Sequence, residues 1–244
     1  MLILKEEHFF YTPKIRESNL LPDEEFAHAV RVLRFGVGDH IHLMDGVGYF
    51  YDAQIKQVTK KFCEFEVVNE VFYPRKNDAW LHVAMAPTKN IDRTEWFVEK
   101  AVEIGVDEIT FLDSEFSERK RINLERMDKI IVSAMKQSRK PYKTILNPLT
   151  DFSHFIANAK ESRKFICHCY GNDNAIELKE KKLLKDSLAA GDKAVVMVGP
   201  EGDFSLKEVA AAENLEFQSV SLGDSRLRTE TAAVVAVHIL NLFT

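Results

Sequence analysis

From residue 81 onward the chain alternates short apolar runs with helix-forming segments, and this alternation constrains the fold more than any other feature. The apolar runs are LHVAMA (81–86), EITFLD (108–113), RKFICHC (163–169), KAVVMV (193–198) and FQSVS (217–221). Helices are expected from Asp92 to about Ile104, after residue 119, and over 151–159, 205–213 and 230–242. Strands that alternate with helices build an α/β fold around a mostly parallel sheet covered on both faces. Asp92 with Glu95 reads as a capping box and Gly105 as a stop; Ser205 with Glu208, and Thr229, cap the last two helices. In such a sheet, ligands bind beyond the carboxyl ends of the strands.

The first 72 residues follow another rule. Strands at 40–44, 49–58 and 62–71, turning at Asp45-Gly46 and Lys60-Lys61, form a meander that curls into a small barrel. Phe9, Phe10 and Tyr11 suit a core strand. A helix, PDEEFAHAVRVLR, precedes the meander, with Pro22 and the acidic Asp23, Glu24 and Glu25 at its start. Arg31 and Arg34, three apart on one face, either complement its dipole or grip a phosphate. The proline-bearing FYPRKNDAW separates domains at 1–72 and 73–244.

Several classes are excluded. The chain start carries charge by its fifth residue, unlike a signal peptide, and no run of about 18 apolar residues exists to span a bilayer. Three cysteines suit a reducing, cytoplasmic compartment. Cys167-His168-Cys169 alternates faces and has no second cysteine pair, so no metal site is expected. Net charge is −5, yet nine basic residues against two acidic ones lie between Arg119 and Lys143. Met127, Ile130, Ile131, Ala134 and Met135 give that stretch an apolar face, and its cationic back fits either phosphates or plain solvent.

Three loops then stand at strand ends: Cys167 to Gly171, Gly199-Pro200-Glu201-Gly202-Asp203, and the bend at Leu222-Gly223. Neither GxGxxG nor GxxxxGK[ST] is present, so dinucleotide and P-loop chemistry find no support. Glu201 and Asp203 at a helix N-terminus compete for the amides a phosphate would use. A neutral or cationic ligand is favoured.

GPEGDFSLKEV followed by SLGDSRLRTETAAVVAVHIL resembles the type-E small-subunit ribosomal RNA uridine-N3 methyltransferases of the SPOUT superfamily. HAVRVLRFGVGD with DGVG is similar to that family's PUA-like RNA-binding barrel. KNIDRTEWFVEKAVEIGVDEITFLDSEFS is similar to the opening of its catalytic domain, and AMKQSRK to a later segment. The resemblance implies a trefoil knot in the C-terminal domain, S-adenosyl-L-methionine as cofactor, a homodimer, and 16S ribosomal RNA of the small subunit as partner. It places Val198, Gly199, Pro200, Glu201, Gly202, Ser221, Leu222, Gly223 and Leu227 on the cofactor, with Cys169 and Tyr170 at the third loop. It makes Arg228 a stabiliser of the developing anion, and Glu230 a second catalytic candidate. Arg31, Arg34, Lys89, Arg119, Arg121, Arg139 and Arg226 are then the RNA contacts. The chain departs from the family pattern where Asp203 replaces a frequent glycine, where Ser225-Arg226 shifts an arginine by one place, and where Lys136 replaces a glutamate. Two other readings stay open: a non-catalytic RNA-binding or ribosome-assembly protein, and a methyltransferase acting on another RNA such as transfer RNA. The final helix is apolar nearly all round, which suits burial either within one chain or against a second copy.

Overall fold

The computed structural model describes residues 8–170 and 181–243, so the expected bend at Gly171 and the start of the chain lie outside the described residues. The chain divides into two compact units, one of residues 1–75 with 132–143, the other of 76–131 with 144–244.

The smaller unit holds a four-stranded sheet ordered β1 (Phe9–Tyr11), β2 (His40–Met44), β3 (Tyr49–Val58) and β4 (Cys63–Phe72). β1 joins β2 in parallel and the others pair antiparallel, with irregular register at Asp52/Ala53 and Ile55/Gln57. Phe10, Ile41, Leu43, Tyr51, Ala53, Ile55 and Phe65 form its core with Phe26 and Ala29. This is the period-two pattern of a half-buried sheet. Helix α1 (Asp23–Phe26) continues as a wider π-helical turn over Ala27–Val32. Its last carbonyls are closed by Leu33 N to His28 O and Phe35 N to Ala29 O, both 3.0 Å. Arg34 sits between these closures at φ 60°. Arg31 and Arg34 therefore do not share a helical face, which corrects the expectation from spacing: the chain has turned left-handed before the second arginine.

The larger unit holds seven strands, every pair of them parallel, in the order β7-β6-β5-β10-β8-β11-β9. β5 is Trp80–Met85, β6 Glu108–Asp113, β7 Ile145–Asp151, β8 Arg163–Cys167, β9 Lys182–Leu183, β10 Lys193–Val198 and β11 Gln218–Ser221. Five consecutive residues are buried in each of β5 and β10, as strands covered on both faces require. Helices α2 (Ile91–Ile104), α3 (Leu124–Ser138), α4 (Phe152–Asn158), α5 (Leu206–Asn214) and α6 (Thr229–Asn241) complete the chain order. α3 buries Met127, Ile131, Ala134 and Met135, and its second half belongs to the smaller unit, where Lys136 meets the buried Glu25 at 2.7 Å. A buried carboxylate left alone is costly, and this contact gives the departure at Lys136 a physical role.

Cap chemistry matches expectation at α5, where Ser205 and Glu208 form a reciprocal box. It differs at α2 and α6. Asn90 caps α2 by accepting from Asp92 N at 3.1 Å, while Glu95 is drawn to Arg126 on α3. At α6 the cap position falls on Arg228, which makes no side-chain cap, and Thr229 is buried in the first turn. Among the described residues, no helix is long and apolar enough to cross a membrane.

Candidate ligand cleft at the strand ends

β10, β8 and β11 are neighbours, and Cys167 is in register with both Val198 and Val220. Three parallel strands that end level deliver their loops side by side. The result is a cleft of about 840 Å³, within the usual size range of small-molecule sites. Val198, Gly199, Pro200, Glu201 and Gly202 line it from the first loop, and Ser221, Leu222, Gly223 and Leu227 from the second. His168 and Cys169 line it from the third, and Arg226, Arg228 and Glu230 reach it from the approach to α6. Tyr170 does not line it. Its hydroxyl donates to Phe204 O at 2.7 Å and its ring packs against the core beneath the loops.

The loops hold one another. Asp203 takes φ 67°, a conformation glycine adopts freely and aspartate tolerates, which is how this chain accommodates its departure there. Its carboxylate accepts from Cys169 N at 2.7 Å and from Phe204 N at 2.8 Å, tying the first loop to the third. Gly199 has room for no side chain: a Cβ would lie 3.0 Å from Phe204 N. Glu201 accepts at Oε1 from Lys89 N at 2.9 Å.

Two acceptors in the cleft wall have no partner among the described residues. Glu230 is 7% exposed in the first turn of α6; its Oε1 lies 3.8 Å from Arg93 Nε and its Oε2 is unpaired. His168 is buried with Nε2 3.0 Å from Ser219 Oγ. Since Ser219 Oγ donates to Glu213 at 2.6 Å, it must accept from Nε2–H, which leaves Nδ1 as an acceptor with no partner among the described residues. Burial, reinforced by nearby Lys181, lowers the His168 pKa to about 4, so the ring is neutral at physiological pH.

The RNA contacts expected from sequence are placed separately. Arg31, over the Phe26 ring, Arg34, and Arg139, over the Phe9 ring, belong to the smaller unit. Lys89, Arg119 and Arg121 line a second, basic cleft of about 430 Å³ in the larger unit, while Arg226 lines the first. Sequence reasoning missed Arg93 and Lys181 as cleft residues. It also missed a cluster at the amino ends of the strands, where the buried His82 bonds Glu161 at 2.5 Å and Thr110 at 2.8 Å. Residues 79 positions apart leave no local signal of such a bond.

The parallel sheet with its loop-built cleft, in a chain that also carries a small β-rich unit, defines a ligand-binding α/β protein with an accessory domain. Residues 75–241 match the RNA methyltransferase domain family, and residues 21–68 the RNA methyltransferase PUA domain family. A probable rRNA-methyltransferase from Porphyromonas gingivalis has a solved structure that is 39% identical, with a TM-score of 0.88, covering 97% of this chain and 98% of that one. The structure of a ribosomal RNA small subunit methyltransferase E from Neisseria gonorrhoeae, bound to S-adenosyl methionine, is 27% identical with a TM-score of 0.76, covering 95% of each chain. A ribosomal RNA small subunit methyltransferase E from Aquifex aeolicus is 29% identical over 97% of this chain and 100% of its own. The chain belongs to the RNA methyltransferase family.

Proposed function

We propose that this chain methylates N3 of a uridine in 16S ribosomal RNA of the small subunit, using S-adenosyl-L-methionine, as a cytoplasmic homodimer. Residues 73–244 carry the reaction, with a trefoil knot in the chain path, and residues 1–72 hold RNA. The observation that carries this reading is the convergence of G-P-E-G and L-G…L-R-T-E on one cleft, at the ends of adjacent parallel strands. The methyltransferase names of the relatives, and the cofactor bound to the gonococcal protein, support it.

The cleft residues suit the cofactor. Glycines and apolar side chains give flat walls for an adenine ring, and no P-loop phosphate cradle is present. Two buried acceptors without partners among the described residues, on Glu230 and His168, suit a ligand rich in donors and positively charged. Neutral His168 adds no repulsion against a cation. When bound, S-adenosyl-L-methionine supplies a methyl group on an electrophilic sulfonium.

The chain's own residues do the rest. Loops one and two hold the cofactor while Arg226 and Arg228, both exposed, stand where the cleft meets solvent and accept the RNA. Arg228 lies at the start of α6, where its guanidinium and the helix amides favour the anion left when N3 sheds its proton. Glu230, held beside Arg93, is the one buried carboxylate in the cleft wall among the described residues; it orients the cationic partner or receives the proton. The target base must leave its stack to enter.

Incubating the protein with radiolabelled cofactor and small subunits from cells lacking it tests this reading. Label at N3 of a 16S uridine is expected. Binding without label would leave an RNA-binding assembly protein, and label on transfer RNA alone would move the substrate.

A further inference from the structure

Arg119 is a basic residue beside a basic cleft, yet its guanidinium is already engaged. Nε donates to Thr88 O at 3.0 Å and the terminal nitrogen to Lys89 O. The other side of the same loop is held too: Lys89 N donates to Glu201 Oε1 at 2.9 Å, and Glu201 belongs to the first cofactor loop. Thr88 is buried, with its amide on Thr94 Oγ1 and its hydroxyl on Asn90 O. The loop is therefore held on one side by Arg119 and on the other by Glu201. Behind it, Glu115 N donates to Glu208 of the α5 capping box at 2.8 Å, and a Cβ on Gly202 would lie 3.2 Å from Phe116 Cβ. The segment 114–119 thus packs on the cofactor loop directly at Phe116, reaches it through Lys89 from Arg119, and holds the start of α5 from Glu115, although none of its residues lines the cleft at the strand ends.

We infer that Arg119 is a positioning residue for the cofactor loop 199–203, acting through the Lys89 peptide and Glu201, and is not a phosphate contact. The inference rests on the proposed reading of loop 199–203 as a cofactor loop. A planar guanidinium that bonds two successive carbonyls fixes the direction of the Lys89 N–H, and so the place of the Glu201 carboxylate. Lysine carries the same charge but bonds as a point donor without the planar fork. Substitution by lysine thus separates the two roles: a phosphate contact survives it, and a two-carbonyl clamp does not.

The test uses the full chain. Calorimetric titration of S-adenosyl-L-methionine without RNA is run on the wild type, Arg119→Lys and Arg119→Gln, and RNA affinity is measured across a salt series. The account expects the cofactor Kd to rise about tenfold in both variants, the loss of one charge-assisted bond. The slope of RNA affinity against salt stays at the wild-type value. Should Arg119→Gln fail to fold, a double-mutant cycle pairs Arg119→Lys with Glu201→Ala: a combined loss smaller than the sum supports the clamp, and an additive loss overturns it. A cofactor Kd within twofold of wild type in the variants also overturns it, as does a salt slope shallower by about 0.9 in Arg119→Gln, the signature of one lost phosphate contact. If the wild type itself binds no cofactor, the reading beneath the inference fails, and the inference with it.

Discussion

Gly48 in the smaller unit and Gly223 in the larger share a left-handed backbone, at φ 111° and 126°, but differ in what surrounds them. A Cβ at Gly48 would lie 2.7 Å from the Tyr142 hydroxyl and 2.8 Å from the Phe72 ring; at Gly223 it would meet nothing within 4 Å. The first glycine closes a turn so that two aromatic residues can pack on it. The second opens a bend toward the cleft. The same contrast runs through the two units. The smaller one places cations closely over rings, Arg75 over Tyr142 at 4.3 Å and Arg16 over Tyr49 at 4.7 Å, against 5.4 Å for Lys164 over Phe217 in the larger. The larger one sinks Phe152, Phe155, Phe204 and Phe217 into the core and brings glycine, proline and charged side chains together at the strand ends. One unit builds a surface, the other a hollow.

The largest expected effect comes from Arg228→Ala. Methylation should fall by about 10²–10³-fold, as when an anion-stabilising group is removed. Cofactor affinity, read by calorimetry, should stay within about threefold, because Arg228 follows the loop that contains Leu222 and Gly223. A collapse of cofactor binding instead would move Arg228 into the cofactor site. Next in size is the glycine pair. Gly48→Ala combines overpacking with backbone strain and should cost roughly 3 kcal/mol in denaturant unfolding. Gly223→Ala carries strain alone, about 1 kcal/mol, and should show mainly as weaker cofactor binding. Equal stability losses would erase the distinction between packed and open glycines.

A smaller effect is expected in acid. An unfolded histidine titrates near 6.5, whereas burial holds His168 to about 4. Between those values the unfolded chain binds the extra proton, so the contribution of His168 is full above pH 6.5. It is lost as pH falls toward 4, by up to ~3 kcal/mol. Comparing denaturant unfolding at pH 7 and pH 4.5 for wild type and His168→Gln tests this: the pH-dependent loss should shrink in the variant. An unchanged loss would assign acid sensitivity to other groups.

Much of this arrangement was legible in the residues, for physical reasons. β10 and α5 announce themselves through an unbroken apolar run and a reciprocal cap, both local signals. β7 does not, because Ile145–Asp151 contains Pro148 and, as an edge strand, is buried at no position. β9 is two residues long and has no pattern to read. In the cleft, the glycine bends were visible, since turn chemistry is local. The Ser219–His168 bond and the Arg119 clamp were not, because their partners lie 51 and about 30 residues apart. The sheet order brings them together, and spacing along the chain carries no trace of it.

The most direct test of the central claim is a crystal structure of this protein grown with S-adenosyl-L-methionine. The account predicts cofactor density between Gly199–Gly202 and Ser221–Gly223, with the side chains of Arg228 and Glu230 facing the same space. Density elsewhere, for instance beside His82 and Glu161 at the opposite ends of the strands, would contradict it, and so would a cleft left empty at saturating cofactor.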